Sequence, residues 1–252
     1  MKSVIFFLLI CVFSCSSKKN ILYLQNKDIS KTYNIVYNDH KINVDDVLRI
    51  IITTEDPEVS LTFNPPGLGT SSIANTKEIM LFNGYQVDPL GFIHYPGLGQ
   101  IYVEDMSIPE LRTHLYDLII NNKILNNPSV DVKLLNGHFT VLGEVNRPGK
   151  YEFLQNNINI LEAIGQAGDL SINGERDNIL LIRDIDGDKK IYNVDLTKVN
   201  FFQSEFFQIQ SGDIILVNPN TARVKNAGII GNSGTLLSLL SFILSSIIVA
   251  TR

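Results

Sequence analysis

Hydrophobic residues follow two patterns along the chain: they alternate with polar residues through the middle and form unbroken runs near the two ends. The first run covers residues 4–13 and comes directly after Lys2 and Ser3. A helix of ten residues is about 15 Å long, which is half of the hydrocarbon core of a bilayer. A short apolar run behind a positive start is typical of a secretory signal peptide rather than of a membrane span. We therefore predict a signal peptide over residues 1–14.

The predicted signal peptide ends at a small residue followed by a cysteine, Ser14 and Cys15. This junction resembles the cleavage site of a bacterial lipoprotein, of the looser kind found in Bacteroidetes. The resemblance implies that Cys15 is the lipidation site and becomes the first residue of the mature protein. The alternative is an ordinary signal peptide in which a cysteine stands at this place by chance.

The second apolar run lies near the C-terminus, where no charged residue occurs between Lys225 and Arg252. We predict an amphipathic transmembrane helix over residues 235–252, preceded by a linker over 223–234. Small and weakly polar residues share an arc of roughly 80° on its helical projection, and the larger side chains lie on the other faces. Two roles are open for this serine stripe: packing against another helix, or lining a water-filled pore. The candidate residues of the stripe are Ser238, Ser241 and Ser245.

Between the ends, the sequence predicts two α+β units behind a lead-in over residues 15–34. In the first unit, 35–137, Ser107 is a predicted N-cap, and Pro109 and Glu110 complete the start of a helix that runs to about residue 121. A stretch rich in Pro, Gly, Ser and Asn predicts a long loop over 56–80. The strands predicted for this unit are 47–53, 85–88, 92–95 and 129–135.

The second predicted unit covers residues 138–222. A Pro-Gly turn at 146–149 and a helix over 158–167, closed by Gly168, interrupt its strands. The order of strands around a single helix predicts a β-grasp module. The predicted strands are 139–145, 150–154, 179–184, 190–194 and 213–217.

Composition excludes several classes of function. The chain has 252 residues, of which 44% are hydrophobic and 19% charged, so it can bury a core and is not globally disordered. Its net charge of −5 provides no basic excess for binding nucleic acid. The two cysteines are Cys11, in the predicted signal peptide, and Cys15, the predicted lipidation site directly after it, so we expect no disulfide framework and no cysteine-based metal site.

Residue patterns also give no indication of catalysis or of a cofactor. The segment 184–188 begins like a calcium loop, but Gly187 comes two positions early and no glutamate closes the loop. The histidines lack the spacing of metal ligands; they stand at positions 40, 94, 114 and 138. We therefore predict that the protein is not an enzyme and binds no cofactor or metal.

Five ordered segments resemble the outer-membrane polysaccharide export family of the Wza type. The family usually has a Gly-Asp pair before its first strand, where this chain has Asp45 and Asp46. Its best-known members carry two SLBB domains, a kind of β-grasp module, and this chain has room for one. The matching segments are VDPLGFI at 87–93 with PGLG at 96–99, NPSVDV at 127–132, VLGEVNRPGKY at 141–151, LEAIGQAGDL at 161–170 and GDIILV at 212–217.

The resemblance implies an α+β fold with an N-terminal polysaccharide-export domain, one SLBB domain and a C-terminal transmembrane helix. It also implies a homo-oligomeric ring, eight-fold by analogy, that exports capsular polysaccharide or exopolysaccharide from the periplasm to the cell surface. The expected partners are further copies of the chain, the polysaccharide, outer-membrane lipid and an inner-membrane co-polymerase that regulates chain length. Such a protein would be lipid-anchored in the outer membrane with most of its mass in the periplasm.

A second hypothesis belongs to a different class of function. The chain could act as a glycan-binding or scaffold lipoprotein on the periplasmic side, in which the C-terminal helix is only a tail anchor. The two hypotheses differ in what the helix requires, because a pore needs several copies around an axis and a tail anchor works as a monomer.

Overall fold

The computed structural model describes residues 21–28, 30–35, 39–64, 77–155, 157–185, 187–226 and 233–250. The described chain is α+β, as the sequence predicts. Its helices are α1 (Pro57–Phe63), α2 (Lys77–Phe82), α3 (Ile108–Asn121), α4 (Ile160–Gln166), α5 (Thr221–Asn226) and α6 (Ser233–Ala250), with a 3-10 helix at Val199–Gln203. Its strands are β1 (Val47–Thr53), β2 (Tyr85–Gln86), β3 (Phe92–Tyr95), β4 (Gly99–Tyr102), β5 (Ser129–Leu134), β6 (His138–Gly143), β7 (Gly149–Glu152), β8 (Ile158–Asn159), β9 (Gly174–Ile185), β10 (Asp188–Val194), β11 (Gln208–Ile209) and β12 (Ile214–Pro219).

A three-stranded antiparallel sheet of order β2-β1-β5 forms the base of the first unit. Burial alternates along β1, because successive side chains of a strand point to opposite faces of the sheet. On the buried face, Ile50 is paired with Val132 and Ile52 with Val130. The resulting surface is apolar on both strands. β3 and β4 form a separate hairpin.

The long helix α3 completes the core of the first unit. Leu111, Leu115 and Ile119 are fully buried and belong to the same core as the apolar face of β1. The predicted capping box is confirmed: the Glu110 amide donates to Ser107 Oγ at 3.3 Å, and the Ser107 amide donates to Glu110 Oε2 at 2.7 Å. The capping side chains therefore fix where the helix begins, and the burial of its apolar face fixes where it lies on the sheet.

The predicted long loop over 56–80 is wrong, because helix α1 and the first turn of α2 lie in this stretch. Asp56 is the N-cap of α1 and accepts a hydrogen bond from the Glu58 amide at 3.0 Å, with Pro57 in the first turn. Proline and aspartate are unfavourable inside a helix, but both are favoured at its start.

A five-stranded mixed sheet of order β10-β9-β12-β6-β7 forms the second unit. β12 is parallel to β6 and the other neighbours are antiparallel. Helix α4 contributes Ile160, Ala163 and Ile164 to a core that it shares with Leu181 and Val217 of the sheet. One helix packed on a mixed sheet agrees with the β-grasp arrangement predicted from the sequence.

The predicted transmembrane helix over 235–252 is wrong. In the part of the chain that the structure describes, no helix has both the length and the apolar character required to cross a membrane. The corresponding element, α6, has 18 residues. At a rise of about 1.5 Å per residue it is about 27 Å long, whereas a hydrocarbon core is about 30 Å thick.

Candidate functional site

The residues predicted as sites fall into two groups in the structure. Cys15, the predicted lipidation site, lies outside the described residues. Ser238, Ser241 and Ser245 lie on α6, and all three are exposed. Their assignment to a site stays a prediction.

The hydroxyl groups of the serine stripe are bonded within their own helix. Ser238 Oγ donates to the Thr235 carbonyl at 2.9 Å, and Ser241 Oγ to the Leu237 carbonyl at 2.6 Å. Ser245 Oγ donates to the Ser241 carbonyl at 2.8 Å. Each hydroxyl therefore donates its proton to a carbonyl in the preceding turn of the same helix. The stripe differs from the rest of the helix surface mainly in the small size of its side chains.

The turn before β3 contains the first segment that resembles the export family. The Asp88 carboxylate accepts hydrogen bonds from the backbone amides of Leu90 at 2.8 Å and Phe92 at 2.9 Å. Gly91 has φ +81°, and a Cβ on it would stand 2.8 Å from Glu104 Cβ, so the turn requires glycine. The geometry of this turn accounts for Asp88 and Gly91 of the segment.

Close to this turn, the entry to α3 is tied to the start of the first unit. Lys41 Nζ donates to Glu110 Oε2 at 2.9 Å, and Lys41 also forms a backbone bridge with Ser107. The hydrogen bond from the Ser107 amide, followed by the bond from Lys41, lowers the pKa of Glu110 to about 2. The carboxylate of the capping box is therefore ionised at neutral pH.

The second unit contains a buried ion pair. Asp213 is 1% exposed and accepts hydrogen bonds from Arg183 Nε at 2.9 Å and Arg183 Nη2 at 2.7 Å. The Gln210 amide also donates to Asp213 Oδ2, at 2.8 Å, and Arg183 Nη2 donates to the Gln208 carbonyl at 2.8 Å. These bonds tie β9 to β11 and to the start of β12.

A polar hollow of about 260 Å³ lies beside the ends of β9 and β12. Two acidic residues, Glu175 and Asp177, are among the residues that line it, and the lead-in contributes Gln25. Among the described residues, no group of three or more His, Cys, Asp or Glu side chains could hold a metal ion. The remaining lining residues are Gly174, Thr197, Asn220 and Thr221.

Sequence reasoning missed how the lead-in packs. Residues 23–26 contact the second unit, and the Leu24 amide donates to the Leu196 carbonyl at 3.1 Å. The signal that could have indicated this packing is the apolar run 21–24, which is unusual for a solvated linker.

The described chain thus contains two units, each with its own apolar core. A family model described as polysaccharide biosynthesis/export protein matches residues 35–135, and a model of the SLBB domain matches residues 137–217. The chain belongs to the polysaccharide export family of the Wza type. A comparison with curated proteins gave no match.

Membership of this family has direct consequences for function. The matched families are export and binding families rather than families of enzymes. Membership indicates an interaction with polysaccharide and a role in export at the periplasm and outer membrane.

Proposed function

We propose that this chain is the subunit of a homo-oligomeric outer-membrane assembly through which capsular polysaccharide or exopolysaccharide leaves the periplasm. The observation that carries the proposal is the ordered match of an export unit and an SLBB unit, which together cover residues 35–135 and 137–217. In this assembly Cys15 carries the lipid anchor, most of the subunit lies in the periplasm, and an inner-membrane co-polymerase delivers the polysaccharide.

The surface of the described chain supports self-association. Leu237 and Phe242 of α6 are exposed, as are Phe82 at the end of α2 and Leu90 in the turn before β3. Large exposed apolar side chains, two of which lie together on α6, are typical of surfaces that another molecule covers. Copies of the same chain would cover them in a closed ring. The serine stripe then acts as the face along which neighbouring copies of α6 approach each other.

Deletion of the gene and complementation test the proposal. Loss of the chain should abolish polysaccharide at the cell surface and leave polymer in the periplasm, and the wild-type chain should restore export. Normal surface polysaccharide in the deletion strain would contradict the proposal. A strain that exports normally and whose purified chain binds glycan as a monomer would instead support the scaffold hypothesis.

A further inference from the structure

The hairpin formed by β3 and β4 has one face in the core of the first unit and one face toward solvent. Ile93 is fully buried in that core. Because successive side chains of a strand alternate between faces, the residues on either side of Ile93 share the outer face. On this face Phe92 is paired with Tyr102, and His94 is paired with Gln100. We call these four side chains the hairpin platform.

The aromatic pair of the platform is held in one arrangement. The rings of Phe92 and Tyr102 meet edge to face, with their centres 5.3 Å apart and an angle of 72° between their planes. A Cβ on Gly91 would stand 2.7 Å from Tyr102 Cε2, so the tyrosine ring lies against the glycine backbone. Tyr102 is nevertheless 43% exposed. The platform therefore presents a positioned aromatic ring to solvent.

Polar groups lie directly beside the aromatic pair. The Gln100 side-chain nitrogen is 3.4 Å from His94 Nε2, which is 4.0 Å from Asp88 Oδ2. An amide and a neutral imidazole each offer both a donor and an acceptor, and a carboxylate offers acceptors. A sugar ring has an apolar C–H face that packs on an aromatic ring, and hydroxyl groups at its rim that both donate and accept. The platform matches this combination of an apolar face and a polar rim.

The charge around the platform is negative. The segment 88–105 contains Asp88, Glu104 and Asp105 but no lysine or arginine. The Tyr102 hydroxyl lies 3.5 Å from Glu104 Oε2. Desolvation, followed by the charges of Glu104 and Asp105, raises the pKa of Tyr102. Such a surface repels anionic sugars, whereas the hydroxyl groups of uncharged sugars can donate to its carboxylates.

The openness of the platform suits a polymer that must move on. Tyr102, His94 and Gln100 are exposed, and Phe92 is partly buried. A ligand on this surface is covered on one side only, so it is held weakly. A transported substrate requires contacts that are favourable enough for entry and weak enough for release.

We infer that the hairpin platform is a contact site for a polysaccharide built from uncharged sugars. One sugar ring packs on Tyr102, and its hydroxyl groups form hydrogen bonds with Gln100 and Glu104. The inference rests on the proposed export function and deepens it in two respects. It assigns residues that touch the polymer, and it assigns the chemical class of the polymer.

Tryptophan fluorescence tests the contact, because the chain contains no tryptophan. Tyr102→Trp places the reporter on the platform, and Tyr116→Trp is the matched control on α3, where Tyr116 is 40% exposed. Polysaccharide recovered from the wild-type cell surface is added to the full lipidated chain in mild detergent. The emission of Tyr102→Trp should change and that of Tyr116→Trp should not. No change at position 102, or equal changes at both positions, would overturn the inference.

Calorimetric titration with the same polysaccharide tests the assigned side chains. Tyr102→Ala should weaken binding about 2- to 10-fold, because it removes the aromatic contact. Tyr102→Phe keeps the ring and should bind like the wild type, and so should Tyr116→Ala. Gln100→Ala leaves the aromatic pair intact and should also weaken binding. Wild-type affinity in both Tyr102→Ala and Gln100→Ala, with the mass of the assembly unchanged, would overturn the inference.

Sugar analysis separates failure of the platform from failure of the export function. The polymer that a deletion strain loses from its surface should consist of uncharged sugars, and alginate, a polyuronate, should leave the emission of Tyr102→Trp unchanged. A lost polymer rich in uronic acid, sulfate or phosphate, or an equal response to alginate, overturns the inference and leaves the export function standing. A deletion strain that loses no polymer contradicts the export function itself. An emission change in Tyr102→Trp on assembly without polysaccharide identifies a second copy as the occupant and also overturns the inference.

Discussion

At the scale of single residues, Arg183 and Asp213 show how a family segment maintains the fold. Asp213 is almost completely buried, and the guanidinium of Arg183 is its bidentate partner. A buried charge is tolerated only when it is paired and hydrogen-bonded. The aspartate of the Gly-Asp pair at 212–213 is therefore explained by its role in holding β9 and the start of β12 together.

Removal of the cation leaves the buried carboxylate without its partner. Arg183→Met should lower the free energy of unfolding by about 3–5 kcal/mol, because the Asp213 charge is then uncompensated. Lys189→Met is the matched control: Lys189 pairs with Asp184 at 2.7 Å on the exposed surface, where the loss should be at most about 1 kcal/mol. Urea unfolding of the full chain measures both, and equal losses would contradict this account of the buried pair.

A second residue-scale prediction concerns pH. The pKa of Glu110 is lowered to about 2 in the folded protein from an ordinary value of 4.5. Between these two values the unfolded chain binds more protons, so the stabilisation by Glu110 is fully present above pH 4.5 and is lost as the pH falls toward 2. Glu110→Gln should remove this part of the pH dependence. Parallel stability curves for Glu110→Gln and the wild type between these pH values would contradict the prediction.

At the scale of elements, the helices differ in what supports them. Helix α3 has a capping box and a buried face, so its position is fixed by its own unit. Helix α6 exposes large apolar side chains on several faces, including Leu240, Phe242 and Ile243. A helix of this kind gains most of its stability from contacts with other molecules. We expect the small side chains of the serine stripe to mark the face of closest contact.

Enlarging the serine stripe should therefore disrupt assembly. Ser241→Leu places a large side chain on the stripe and should shift the protein toward smaller species, because close approach of two helices requires small residues. Ser246→Leu is the matched control: Ser246 is exposed and makes the same kind of bond, to the Phe242 carbonyl at 2.8 Å, but lies off the stripe. Sedimentation in mild detergent distinguishes them. Equal behaviour of the two variants would show that the stripe is not a contact face.

At the scale of the whole molecule, the sequence predicted those features that residues close together in the chain determine. Ser107 and Glu110 specified the start of α3, because a capping box is formed within four residues. Contacts between distant segments were missed: the bond between Tyr23 and Asp169 spans 146 positions, and no local pattern encodes it. The C-terminal helix was predicted, but its membrane crossing was wrong, because an uncharged run indicates apolar character and does not by itself establish a span.

The central claim is that this chain works as one subunit of a closed export assembly. The most direct test is the mass of the full, lipidated chain extracted in mild detergent, combined with class averages from electron microscopy. The account predicts a single species whose mass is several times that of one chain and whose images show a ring. A monomer that persists at concentrations near those in the membrane, with acylation of Cys15 intact, would contradict it.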